Sequence, residues 1–202
     1  MTGLRRPAPA ALGLALAALV LTLAGCASAP IHYYTLVAPA GAAPIAAPTA
    51  PYQFELLPVG IPAQADRPQL LVRRGAQDVV PLESERWIAP LADEVRAALA
   101  ADLARELDAE DASGMPRSAE PRLRIRVNLR RFDSVPGGYA LIDASWSVGA
   151  LQSGDSVTGS SAIREAVGPG YNALVQGHQR ALARLAAKIA LAARSVANGK
   201  AR

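Results

Sequence analysis

Arg122-Leu123-Arg124-Ile125-Arg126-Val127-Asn128-Leu129-Arg130-Arg131-Phe132 is the stretch that decides the fold. Leu123, Ile125, Val127 and Leu129 alternate with Arg122, Arg124, Arg126, Asn128 and Arg130. A period of two sustained over this length predicts a strand with one buried face and one wet face. Toward the C-terminus, Pro136-Gly137-Gly138 is a turn signal. Tyr139–Ala150 then alternates again, with Ile142, Ala144, Trp146 and Val148 on one face. Ser153-Gly154-Asp155 marks a second turn and Ser156–Val167 a third strand. Residues 122–167 therefore read as an antiparallel three-strand meander, its apolar face forming the core with Ile125, Val127 and Trp146 buried together.

A helix is predicted on each side of the meander. Pro90 suits the first turn of one, where a missing N–H costs nothing. Asp93 and Glu94 complement its positive N-terminus, and Leu91, Val95, Leu99, Leu103 and Leu107 form its apolar stripe. The other follows Gly168-Pro169-Gly170, with Asn172 as N-cap. Leu174, His178, Leu182, Leu185, Ile189, Ala192 and Val196 step along one side of it for about six turns. His178 falls on that stripe and reads as a packed histidine rather than a ligand or base.

The N-terminal half is less periodic. His32–Val37 and Gln53–Val59 are strand candidates. Between them, residues 38–51 hold Pro39, Pro44, Pro48 and Pro51, many Ala and no charge, which predicts a loose loop. Gln69–Val72 and Asp78–Leu82 flank Arg73-Arg74-Gly75-Ala76 as a hairpin. Together these elements predict an α+β domain over 33–197, with a mostly antiparallel sheet and two long helices packed on one face. Residues 198–202 read as a disordered tail.

The first residues read as an address. Arg5 and Arg6 precede Ala10–Ala24, fifteen uncharged residues, too few for a spanning helix of about twenty. The run closes on Leu23-Ala24-Gly25-Cys26, a bacterial lipobox. Residues 1–25 are thus expected to be a lipoprotein signal peptide, and Cys26 the site of acylation, carrying palmitate-class chains. Each buried CH₂ contributes about 0.8 kcal/mol, so two or three chains anchor stably where one does not. Residue 27 is Ala rather than the Asp that retains enterobacterial lipoproteins in the inner membrane. The expected location is therefore the periplasmic face of the outer membrane of a Gram-negative bacterium. Residues 26–32 form the short lipidated tether. Ala27–His32, six residues, spans at most about 21 Å. The domain must then sit close to its membrane, provided Tyr33–Leu36 is paired in a sheet.

Composition narrows the chemistry. Net charge is +4, and two of the positive charges, Arg5 and Arg6, lie in the signal. A nucleic-acid partner is not expected at that balance. The one Cys excludes a disulfide framework, and with two His there is little for a metal site. No Gly-x-Ser-x-Gly, Walker A or His-Glu-x-x-His motif occurs, so neither catalytic residues nor a cofactor or metal is expected. Asp93/Glu94 and Glu110/Asp111 are sequence neighbours and point about 100° apart on a helix, so they read as helix-start or solvated charge.

Arg122, Arg124, Arg126 and Arg130 make a basic sheet face with heads about 7 Å apart. Such a row can meet lipid phosphates or an acidic partner strip; the plainer reading pairs it with acids on adjacent strands, such as Asp143. Asp66-Arg67-Pro68-Gln69 and Glu85-Arg86-Trp87 place charge and indole outside predicted elements. An Arg–carboxylate pair and an Arg–Trp stack would pin an irregular loop there; contact with a partner is the other reading.

Four segments carry a resemblance in order: Tyr33-Tyr34-Thr35-Leu36, Leu57-Pro58-Val59-Gly60-Ile61-Pro62, Asp66-Arg67-Pro68-Gln69-Leu70-Leu71-Val72-Arg73 and Arg86-Trp87-Ile88-Ala89-Pro90-Leu91. Behind a lipobox, they resemble the ABC-type transport auxiliary lipoprotein family. The resemblance covers roughly 30–196. It implies a non-catalytic, lipid-anchored periplasmic subunit of a trans-envelope system. Its partners would be a protein with MCE domains and an inner-membrane permease, with self-association also open. Such systems move phospholipid or other apolar molecules between membranes and support outer-membrane integrity. Tyr33, Tyr34, Asp66, Arg67, Pro68, Arg86 and Trp87 become candidate partner contacts on that reading. A lipoprotein that regulates cell-wall synthases by contact is the alternative, and an enzyme with an unrecognised site is a third.

Overall fold

In a computed structural model, residues 29–38, 47–116 and 120–199 are described. The signal peptide 1–25, Leu23, Ala24, Gly25, Cys26, most of the 38–51 loop (39–46) and the end of the tail (200–202) lie outside the described residues. The chain divides into Met1–Ile31 and His32–Arg202, and every named element lies in the second unit.

The meander is present as β5 (Arg122–Val135), β6 (Tyr139–Ala150) and β7 (Ser156–Ala166), both pairs antiparallel. β5 runs three residues past Phe132 because a bulge between Leu129 and Arg131 absorbs one residue. Before the bulge Leu123, Ile125, Val127 and Leu129 face the core; after it Phe132 and Ser134 pair with Ile142 and Ala140. β2 (Gln53–Leu56) adds a fourth strand, parallel to β5, in register from Gln53↔Arg122 to Leu56↔Ile125. Trp146 is half-buried rather than buried. Its ring lies across Gly159 of β7, where a Cβ would stand 2.3 Å away, and its Nε1 donates to Ser161 Oγ at 3.2 Å.

A second, three-stranded sheet was not expected. Its order is β1-β4-β3, with β1 (His32–Tyr34) parallel to β4 (Val79–Trp87) and β3 (Gln69–Arg73) antiparallel to β4. The 69–82 hairpin is there, but β4 continues five residues beyond Leu82. The charged Glu83–Trp87 segment is thus strand, because β1 pairs with its far half: His32↔Glu85, Tyr33↔Arg86, Tyr34↔Trp87. Tyr33 and Tyr34 are therefore in the sheet, as the short-tether reading requires.

α1 (Leu91–Leu107) and α2 (Tyr171–Ala197) cover the inner face of the four-stranded sheet. All five stripe residues of α1, four leucines and Val95, are buried, sharing the core with Phe54, Leu56 and Ile125. The stripe of α2 is buried except that Ala193 replaces Ala192 on the inner side. Two helix starts differ from expectation. Pro90 is the N-cap residue rather than part of the first turn. Gly170, not Asn172, precedes α2, because the chain enters it at φ 88°, which glycine adopts without a Cβ clash.

Candidate functional site

Three of the four motif segments meet in the three-stranded sheet. Tyr33 and Tyr34 lie on β1 beside Arg86 and Trp87 of β4. Gln69, at the start of β3, pairs with Arg86, and Trp87 N–H donates to the Pro68 carbonyl at 2.8 Å. The remaining segment, Leu57–Pro62, runs beside β5 instead: Leu57 N–H reaches Ile125 O at 2.9 Å, and Gly60 bridges to Asn128. A Cβ at Gly60 would stand 2.0 Å from Asn128 Oδ1, so the Asn128 side chain lies in the space that glycine leaves open.

The inward side of this sheet is structural. Trp87 is buried, edge-on to Phe132 of β5 at 6.1 Å and 77°. Phe132 stacks on His178 of α2 at 3.9 Å and 8°, and His178 Nε2 is 2.8 Å from Ser134 Oγ. The chain Trp87–Phe132–His178–Ser134 thus ties the two sheets to α2. Burial pushes the His178 imidazole down to about 3, so it is neutral. Tyr34 donates its hydroxyl to Glu85 Oε2 at 2.6 Å, and His32 Nδ1 lies 3.4 Å from Glu85 Oε1. Burial first, then the Glu85 carboxylate, pushes the Tyr34 phenol up to about 12.

Glu94 is the residue that sequence reasoning missed. Read as helix-start charge, it is buried, and its Oε2 accepts from Leu36 N–H at 2.7 Å and from Thr35 Oγ1 at 2.8 Å. One carboxylate of α1 therefore holds the chain leaving β1. A helical position between buried Leu91, Val95 and Ala98 was the available signal, since an acid there is placed inward.

The exposed motif residues lie on the outward side of β1 and in the loop before β3. Tyr33 is 59% exposed, and Asp66, Arg67 and Pro68 are exposed. Arg86 is half-buried, with Nε 3.2 Å from the Glu83 carbonyl. Neither interaction expected to pin these segments forms among the described residues. Arg67 makes no ion pair with Asp66, and Arg86 does not stack on Trp87, because successive residues of a strand face opposite sides.

The four-arginine row is not a continuous free surface. Arg122 is buried, donating to Gln53 Oε1 at 3.1 Å and to the Pro116 carbonyl at 3.1 Å. Arg124 Nε meets Glu55 Oε2 at 3.1 Å, and Arg130 meets Asp143, as the plainer reading held. Arg122 is held by neutral groups alone, and Arg126 has neither an ion pair nor a side-chain hydrogen bond among the described residues.

Among the described residues, one serine–histidine pair comes into contact. Ser134 and His178 touch, but His178 Nδ1 has no hydrogen-bond partner among the described residues. A serine–histidine pair needs an orienting group at that nitrogen to act as nucleophile and base. No group of three or more His, Cys, Asp or Glu gathers among the described residues. A hollow of about 400 Å³ opens between the strand starts and the end of α2, lined by Tyr52, Leu123, Ala150 and Val196 with Arg122 and Asp155 at its polar side. Among the described residues no helix is long and apolar enough to cross a membrane.

The fold is a two-sheet α+β domain in which three of the four motif segments meet in one sheet. The family model for the ABC-type transport auxiliary lipoprotein component matches residues 34–190, and the chain belongs to that family. Membership gives a bacterial-envelope lipoprotein that is an auxiliary component of a transport system. Solved structures share the fold. One, of an uncharacterized protein, is 19% identical with a TM-score of 0.65, covering 83% of this chain and 99% of that one. A Xanthomonas campestris protein is 17% identical with a TM-score of 0.58, covering 84% and 96%. Comparison with curated proteins gives no match.

Proposed function

We propose that this chain is a non-catalytic, lipid-anchored subunit of an MCE-type trans-envelope transport system. Acylated Cys26 holds it on the periplasmic face of the outer membrane, and the system carries phospholipid or other apolar molecules between membranes. The observation that carries this reading is the family match over residues 34–190. The lipobox Leu23-Ala24-Gly25-Cys26 supports the anchor, and Ala27 supports the outer membrane. The paired β1 supports a short tether: the strand begins at His32, leaving Ala27–Ile31 between the anchor and the sheet. Five residues span at most about 17 Å, so reaching the other membrane requires a long partner. An MCE-domain protein and its permease supply that span. Asp66, Arg67 and Pro68 are the partner contacts in this proposal, in the exposed loop before β3, while Trp87 and Tyr34 shape the sheet beside it.

Metabolic labelling with an alkyne fatty acid, followed by membrane fractionation, tests the anchor. The native chain is expected to incorporate label and fractionate with outer membrane. Cys26→Ala is expected to lose both. Co-purification of an MCE-domain protein with the native chain, weakened by Arg67→Glu, tests the partner. An unmodified soluble chain with native Cys26 would falsify the anchor, and an intact MCE complex lacking this chain would remove the role.

A further inference from the structure

Ile88 and Tyr33 are large, apolar and mostly exposed, at 66% and 59%. Ile31 and Val37 flanking β1, Val79 at the start of β4, and Met115, Leu151 and Leu191 elsewhere are exposed too, and single exposed apolar residues need no explanation. Ile88 and Tyr33 are neighbours. Tyr33 pairs with Arg86 in the β1/β4 ladder, and Ile88 N–H donates to Tyr34 O at 2.9 Å, extending that pairing. Strand alternation puts Tyr33 and Arg86 on one side of the sheet, opposite half-buried Tyr34 and buried Trp87, and Ile88 follows in the bend just after β4 with its side chain exposed. Nothing in the fold needs this side to be apolar.

We propose that the Tyr33–Arg86–Ile88 side of the three-stranded sheet lies against the phospholipid surface and sets the orientation of the domain on it. The inference rests on the proposed acylation of Cys26. The occupant follows from chain length. Six residues lie between Cys26 and Tyr33, so with seven Cα–Cα steps Tyr33 stays within about 24 Å of an anchor at headgroup level. Ile88 is brought to that level by its backbone hydrogen bond to Tyr34, and Ile31, 45% exposed, adds apolar surface nearer the anchor along the chain. The chemistry matches the interface. A phenol ring prefers the headgroup level, with its apolar body inward and its hydroxyl wet. A guanidinium beside it can reach phosphate oxygens while its stem covers apolar surface. An isoleucine side chain adds buried area. A tether alone leaves the domain free to rotate; a second contact removes that freedom, as two weak membrane signals do together. With this side down, the exposed edge of β7 belongs to the other sheet and remains open to protein.

The full-length, processed chain is reconstituted in vesicles of phosphatidylethanolamine and phosphatidylglycerol. Ile88→Cys introduces a thiol for a nitroxide, since acylated Cys26 does not react. Leu191→Cys, equally exposed at 66% on α2, is the control. Power saturation then reads access to membrane-soluble oxygen and to an aqueous nickel chelate. On vesicles, the label at 88 is expected to lose nickel access and gain oxygen access, while the label at 191 stays aqueous. Equal nickel access at both sites on a chain that floats with the vesicles overturns the docking. A label at 88 shielded from both reagents also overturns it, in favour of a protein contact. A native chain that does not float overturns the anchor, and the docking with it. Tyr33→Ser in the Ile88→Cys background is expected to restore nickel access at 88; no change there would separate Tyr33 from the contact.

Discussion

In the four-stranded sheet, β5, β6 and β7 are 11–14 residues long and are joined by tight turns. In the three-stranded sheet, β1 has three residues and β4 is irregular against β3. The first sheet is held by repetition, with each inward side chain replaced by an equivalent one two residues on. The second is held by individual attachments: Trp87 against Phe132, Arg73 Nη2 3.4 Å from Asp133, and Glu94 on the backbone after β1. A repetitive core loses one increment per lesion. A sheet hung on single contacts loses an element.

The largest expected effect tests that contrast at Trp87. Trp87→Ala removes the ring joining the two sheets and is expected to cost about 3–5 kcal/mol in urea unfolding. It should also raise hydrogen exchange in β1 and β4 more than in β6. Uniform exchange across both sheets would show them to be a single cooperative unit. Ile125→Ala, in the repetitive core, is expected to cost about 2–5 kcal/mol and to raise exchange without singling out one strand. A cost below about 0.5 kcal/mol, outside the range for core truncation, would place the inner face of β5 outside the core.

Glu94→Gln sharpens the comparison further. It leaves a buried amide where a carboxylate accepted two hydrogen bonds, and it is expected to cost about 1–3 kcal/mol. Most of that loss should be local. Amide exchange at Leu36 should rise by more than exchange anywhere in β5. If Leu36 stays protected, the sheet pairing of β1 suffices without Glu94.

How far these regions were legible follows from the same difference. The alternation of Leu123, Ile125, Val127 and Leu129 is a local signal, and so is the three-and-four step of α2; both stood in the sequence. The bulge after Leu129 and the parallel pairing of β1 with β4 did not. A parallel pair joins residues some fifty positions apart, with no turn motif to announce it. Glu94 next to Asp93 looked like dipole complement, because only tertiary placement brings Leu36 N–H to it. The division between inward Trp87 and Tyr34 and outward Tyr33 needed the sheet. Cys26 stood out in the sequence alone and lies outside the described residues.

His178 links the two regions through charge. Its imidazole is held at about 3 by burial, against an ordinary value near 6.5. The unfolded chain therefore binds a proton below pH 6.5 that the folded chain refuses. Stability is fully present above that pH and is lost as pH falls, with a slope approaching about 1.4 kcal/mol per unit. His178→Gln keeps a partner for Ser134 Oγ and should flatten the fall between pH 6.5 and 5, where carboxylates remain ionised. An unchanged slope in the variant would assign the acid sensitivity elsewhere.

The smallest effect is expected at Arg126, and there the repetitive sheet is tested on its wet face. Arg126 pairs across to Ser147 of β6 and has no ion pair among the described residues, whereas Arg124 and Arg130 meet Glu55 and Asp143. An exposed, unpaired guanidinium contributes little to stability, because water solvates it equally in the folded and unfolded chain. Arg126→Ser is therefore expected to shift unfolding by no more than about 0.5 kcal/mol. Removing the Arg124–Glu55 pair should show a coupling of about 0.2–1 kcal/mol in a double-mutant cycle, declining with added salt. Together these outcomes would make the arginine row a solvated sheet face with local pairing. A destabilisation at Arg126 well above that at Arg124, or a gain in stability from relieved repulsion, would instead make the row one electrostatic unit. The wet face of β5 would then carry a shared constraint of the kind so far seen only in the three-stranded sheet.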